Sequence, residues 1–165
     1  MENENKSIEH PLNLSLRYLS YQARSIFEVE QYMKKKGFDN DQIKKVIDLL
    51  QEKNYLNDID FAQMFIKNRV KYKPKSKYAF RYELKNKGVA PCIIDNILEP
   101  YDDIDLAEKS IKPKIRQWKN IDMEKLKKKM MNFLRYRGFS YDVSAMTLNS
   151  FLKSSDEMGK NHNEY

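Results

Sequence analysis

Apolar residues recur along this chain at helical spacing, and three times the pattern stops at a glycine. Leu12, Leu16, Leu19 and Ala23 mark one face of a helix over about Leu12–Arg24. Ser25, with Glu28 three residues on, has the form of a capping box. The helix it opens turns Ile26, Val29 and Met33 inward and ends in Lys34-Lys35-Lys36-Gly37. Asp39 or Asn40 can cap a third helix that buries Ile43, Val46, Ile47 and Leu50 and ends at Asn54.

The next stretch repeats the scheme. Asp58 and Asp60 stand in the first turn of a helix with Ile59, Ala62, Phe65 and Ile66 on one face, suited to its own dipole. A basic turn leads to a helix that closes on Lys87-Gly88-Val89. Pro91 begins a short helix to Leu98, at a position where its missing N–H costs nothing. Ile104, Leu106, Ala107 and Ile111 define another, which Pro113 is expected to kink or end. A long helix runs from about Asp122 to Arg137 and stops at Gly138, and a last one runs from about Ser140 to Lys153.

Glycines 37, 88 and 138 are 51 and then 50 residues apart, and the apolar positions around them coincide. Four residues before the stop lie Met33, Leu84 and Leu134; eight before it lie Val29, Phe80 and Met130. Phe38, Val89 and Phe139 follow it directly, and Ile47, Leu98 and Leu148 lie ten residues after it. The pattern predicts an all-α fold, an elongated array of three tandem three-helix repeats whose neighbours complete one another's cores. The expected boundaries are 12–54, 55–101 and 102–153, between a disordered lead over 1–11 and a disordered tail over 154–165.

Composition supports the all-helical reading, because four glycines and five prolines supply few of the turns an all-β chain requires. The single cysteine, Cys92, excludes an intrachain disulfide and a multi-cysteine metal site, and a buried thiol is expected there. No apolar run approaches the roughly 18 to 20 residues that span a bilayer. The polar, acidic start does not resemble a secretion signal, so a cytoplasmic protein without membrane contact is expected.

The net charge of +7 is unevenly placed. Lys67, Arg69, Lys71, Lys73, Lys75 and Lys77 fall within eleven residues around one turn, interleaved with Tyr72 and followed by Tyr78, Phe80, Arg81, Tyr82, Lys85 and Lys87. A second basic block runs from Lys109 to Lys129 beside Trp118, and Arg135 and Arg137 flank Tyr136. A lysine-rich face is ordinarily just solvated. Six cations around one turn repel one another without an anionic partner, so this block reads as a stripe for phosphates or an acidic groove. Its aromatics read as core or covering residues, since Phe80 and Leu84 share helical spacing.

The chain holds no recognisable catalytic constellation. The carboxylates from Asp95 to Glu108 could bind a metal, but Asp102, Asp103 and Asp105 sit where a helix begins, and dipole complementation explains them better. No glycine-rich phosphate loop or nucleophile elbow is present, and His10 and His162 lie near the two ends. Neither an enzyme nor a cofactor is expected.

Tyr55-Leu56-Asn57-Asp58 followed by Phe61-Ala62 and Arg69, the close Glu83-Leu84-Lys85-Asn86-Lys87-Gly88-Val89, and Phe133-Leu134-Arg135-Tyr136-Arg137-Gly138-Phe139 resemble the RecX family of bacterial recombinase regulators. Arg24-Ser25 and Lys34-Lys35-Lys36-Gly37-Phe38 fit as well, and the resemblance covers about Leu14–Leu152. Asn54 departs from it, standing where the family usually has glycine. The resemblance implies a monomeric, non-enzymatic protein of the DNA-repair and SOS response. It would lie in the groove of a RecA filament on single- or double-stranded DNA and inhibit strand exchange, ATP hydrolysis and coprotease activity. Charge and position put the expected filament or DNA contact on Arg24, Arg69, Lys71, Lys73, Lys75, Lys77, Lys85, Lys87, Arg135 and Arg137.

The competing reading is a sequence-specific DNA-binding protein built from helix-turn-helix units. It requires a recognition helix with exposed base-reading residues, and the third helices, Ile43–Leu50 and Ile93–Leu98, are more apolar than basic.

Overall fold

In the computed structural model the described residues are 2–118 and 121–160, with side chains described over 8–118 and 121–153. They form nine helices: α1 Glu2–Tyr21, α2 Ile26–Lys35, α3 Asn40–Glu52, α4 Asp58–Tyr72, α5 Lys77–Asn86, α6 Pro91–Leu98, α7 Asp103–Gln117, α8 Met123–Tyr136 and α9 Tyr141–Lys160. There is no strand among the described residues.

The expected stops and most of the expected core positions are where the spacing puts them, but Ile59 is 48% exposed while Phe61 takes the buried place in α4, and Ala23 is exposed beyond the end of α1. Gly37, Gly88 and Gly138 have φ of +89°, +76° and +88°, and Asn54 has φ +55°, so each helix pair turns through the left-handed region. Met33, Leu84 and Leu134, and one turn earlier Val29, Phe80 and Met130, are completely buried. Within the first repeat Val29, Met33, Val46 and Leu50 form the centre of a cluster that Leu12, Leu16 and Leu19 cover.

Two compact units divide the chain, and the cut runs through the middle repeat. One unit comprises residues 1–65 and 83–97, the other 66–82 and 98–165. In the first, α1, α2 and α3 pack on one another; in the second, α7, α8 and α9 do.

Four further expectations change. The lead over 1–11 is helical from Glu2, because Ile8 and Leu12 pack on the first core. The helix carries Pro11 inside it, whose carbonyl accepts a hydrogen bond from the Ser15 hydroxyl at 2.9 Å. At the other end α9 continues to Lys160, so the tail is helical over 154–160, while residues 161–165, His162 among them, lie outside the described residues. Pro113 does not end α7, which runs one turn further to Gln117, and its ring is exposed. Cys92 is exposed, because in the short α6 it is Ile94 and Leu98 that face the core.

Candidate functional site

Successive repeats are joined by the same clasp, built twice from different residues. Ser25 caps α2: its hydroxyl accepts from the Glu28 amide at 3.1 Å and donates to the Lys87 carbonyl at 2.6 Å. The first amide of α2, on Ile26, donates to Asp58 Oδ1 at 2.8 Å. At the second junction Ser76 caps α5, its amide donates to the Arg137 carbonyl at 3.2 Å, and the first amide of α5, on Lys77, donates to Asp103 Oδ1 at 2.7 Å. In both, the N-terminus of one repeat's middle helix is held by a carboxylate at the start of the next repeat and by the carbonyl preceding that repeat's glycine stop. The carboxylate complements the positive end of the helix dipole.

The glycines permit that approach. A Cβ on Gly88 would lie 2.3 Å from Phe27 Cβ, and one on Gly138 would lie 2.7 Å from Ser76 Oγ and 3.0 Å from Ala79 Cβ. At Gly37, in the first of the three repeats, a Cβ would meet nothing within 4 Å. Asn57 and Asp102 cap α4 and α7 by accepting from the amides two residues on, at 2.9 and 2.8 Å, which leaves Asp58 and Asp103 to the clasps. Asp102 and Asp103 thus have structural work, and no group of carboxylate, histidine or cysteine side chains suited to a metal occurs among the described residues.

Charge at the first junction is internally balanced. Glu28 receives Lys87 Nζ at 2.8 Å and lies 3.6 Å from Arg24, whose guanidinium covers the Tyr18 ring at 4.3 Å. Burial opposes ionisation of Glu28, but the Lys87 ammonium, the Ser25 amide and Arg24 outweigh it and hold the carboxyl below its usual range. Burial raises Asp58; the Ile26 amide works against this, and the nearby Glu28 and Glu30 charges add to it. Of the expected contact residues in this unit, Arg24 and Lys87 are therefore partly spent on structure, while Lys85 is exposed.

The basic turn after α4 is held by the second junction. Arg137 donates to the Pro74 carbonyl at 3.1 Å and stacks on Phe133 at 4.9 Å. With Pro74 and Ser76 buried beneath it, the turn leaves Lys71 and Lys73 exposed and Lys75 and Lys77 half-buried; Arg69 is half-buried and Arg135 exposed. Fixed backbone at this turn makes the lysine stripe a defined surface. The stripe's separate members still differ: Lys77 serves the clasp through its amide, and Arg137 through both carbonyl and guanidinium.

Sequence reasoning missed one grouping. Lys109, Lys112 and Arg116 share a face of α7 and meet Lys71 around a cleft of about 550 Å³, whose apolar wall includes Val70, Tyr72 and Pro74. Lys112 and Arg116 belong to the second basic block, but nothing in their spacing pairs them with the end of α4. Lys119 of that block lies outside the described residues.

Known proteins match this architecture repeat by repeat. Family models for the RecX first, second and third three-helix domains match residues 12–50, 57–98 and 101–146. A protein named regulatory protein RecX from Lactobacillus gasseri is 32% identical over 151 residues, covering 90% of this chain and 56% of the relative, so the chain spans little more than half of that protein. A protein of the same name from Prosthecochloris aestuarii is 34% identical over 141 residues, covering 86% of this chain and 93% of the relative. The crystal structure of RecX from Lactobacillus salivarius has the same fold, with a TM-score of 0.73 at 23% identity over 88% of this chain and 97% of that one. The three domains in order, and relatives matched along nearly the whole chain, place this protein in the RecX family.

Proposed function

We propose that the chain is a cytoplasmic regulator that binds the RecA recombinase filament on DNA and inhibits its strand exchange, ATP hydrolysis and coprotease activity. The carrying observation is the succession of three matched RecX domains, whose relatives are named as regulatory proteins. The protein acts as a monomer, by occupancy and without chemistry of its own. The exposed members of the basic set, Lys71, Lys73, Lys85 and Arg135, make the contact with filament or DNA; Arg24, Lys87 and Arg137 shape the surfaces that carry them. Charge alone would serve a non-specific DNA binder equally well, and it is family membership that supports the filament reading over that one.

The sequence-specific alternative gains nothing from the fold. Its recognition helices would be α3 and α6, whose Ile43, Val46, Ile47 and Leu50, and Ile94 and Leu98, are buried. Adding the protein to preformed filaments while following ATP hydrolysis and filament length tests the proposal. Hydrolysis should fall at substoichiometric to stoichiometric protein; unchanged hydrolysis and length at saturating protein would overturn it.

A further inference from the structure

Four cations converge on the cleft between the end of α4 and α7: Lys71, Lys109, Lys112 and Arg116, and none of the described residues lining it is a carboxylate. Positions 109, 112 and 116 are one helical turn apart, so their charges stack along a single ridge of α7. Facing them is Tyr72, 68% exposed, with Lys71 Nζ 5.0 Å from its ring centroid. Lys71 is attracted to the Tyr72 ring, but the ring's apolar face stays in water and the cations of the ridge repel one another. A ligand with both a flat apolar face and negative charge relieves both.

We propose that this cleft binds unpaired polynucleotide, with phosphates along Lys109, Lys112 and Arg116 and a base stacked on Tyr72. Duplex offers the phosphates but keeps its bases stacked inside, so it uses the cations and not the ring. The cleft volume suits one or two nucleotides, and the wall formed by Val70 and Pro74 gives the base an apolar edge to rest on. The inference extends the proposed function by naming the nucleic-acid form and a site for it, and rests on that reading only for its place in the cell. Binding to naked strand is independent of any filament.

The test is anisotropy of a labelled oligothymidylate with the whole chain, beside a hairpin duplex of equal charge and inorganic polyphosphate as competitor. Tyr72→Ala should weaken binding to the single strand about tenfold and to the duplex less than twofold, and Tyr72→Phe should restore it. Replacing Lys109, Lys112 and Arg116 by Gln should weaken both and lower the single-strand salt exponent by about 2. Equal loss on strand and duplex for Tyr72→Ala, or polyphosphate competing as well as the oligonucleotide, overturns the stacking site. Unchanged binding by the triple variant with native helicity overturns the cleft altogether. Filament ATP hydrolysis, measured on the same proteins, separates the two claims. Inhibition without Tyr72-dependent strand binding sinks the cleft alone, and Tyr72-dependent strand binding without inhibition sinks the filament reading alone.

Discussion

The hydroxyl of Ser25 reaches 62 residues along the chain to donate to the carbonyl of Lys87 at 2.6 Å, while capping its own helix. One side chain thus closes a helix end and fastens two repeats. Ser25→Ala removes the cap and leaves a carbonyl without its donor, for an expected loss of about 2–3 kcal/mol. Ser20→Ala, at an exposed serine that donates to the Arg17 carbonyl three residues back, should stay within about 0.5 kcal/mol. Urea unfolding of the two variants measures the difference.

The three glycines should not be equivalent. Gly37→Ala meets only the left-handed backbone penalty of about 1–2 kcal/mol. Gly88→Ala meets the same penalty and, in addition, Phe27 at 2.3 Å, and Gly138→Ala meets Ser76 and Ala79. Overpacking of that kind adds about 1–3 kcal/mol. Thermal unfolding should rank Gly37→Ala well above the other two, and three equal losses would refute close packing at the junctions.

Acid should act on the first junction with two opposite signs. The Glu28 carboxyl is lower in the fold than in the unfolded chain, so its stabilisation is complete above the unfolded value of about 4.3 and is lost as pH falls through the folded one. Asp58 is raised in the fold, so its burial penalty is relieved as pH falls through that raised value toward about 3.9. Glu28→Gln should cost about 1–2 kcal/mol at pH 7, and that cost should shrink below pH 4 as the wild type loses its advantage. A cost independent of pH from 7 to 3 would show that the Lys87 pair contributes nothing.

Reversing Lys71, Lys73 and Lys75 to Glu should weaken inhibition of filament-dependent ATP hydrolysis at least tenfold and leave helical content unchanged. Lys71 and Lys73 are exposed, and the turn's backbone is held from Pro74 and Arg137. Full inhibition by the folded variant would remove this turn from the interface.

Helices, stops and repeat number were legible because each depends on local chemistry. Ser25-x-x-Glu28, Asp39 and Asp122 cap where a short polar side chain precedes an apolar period, and glycine or Asn54 follows where φ is positive. The clasps were not legible. Asp58 and Asp103 sit in first turns, where dipole complementation already accounts for a carboxylate, so their distant partners leave no local trace. Pro113 misled because the helix runs on through it to Gln117 despite the one backbone hydrogen bond that proline cannot donate. The cleft at Tyr72 was invisible for the same reason as the clasps: Lys71 and Lys109 are neighbours only in the fold.

Dissecting this protein at its sequence repeats would cut in the wrong places. A fragment ending at Asn54 would keep α1 to α3 but strip Ser25 and Ile26 of Lys87 and Asp58. The smallest N-terminal piece that retains its own fastening extends to Val89, and a C-terminal piece must begin before Pro74 to keep what Arg137 and Asp103 hold. These two pieces overlap through α5, so no single scission yields two intact halves. Protease nicking inside Pro74–Val89 should therefore weaken both at once.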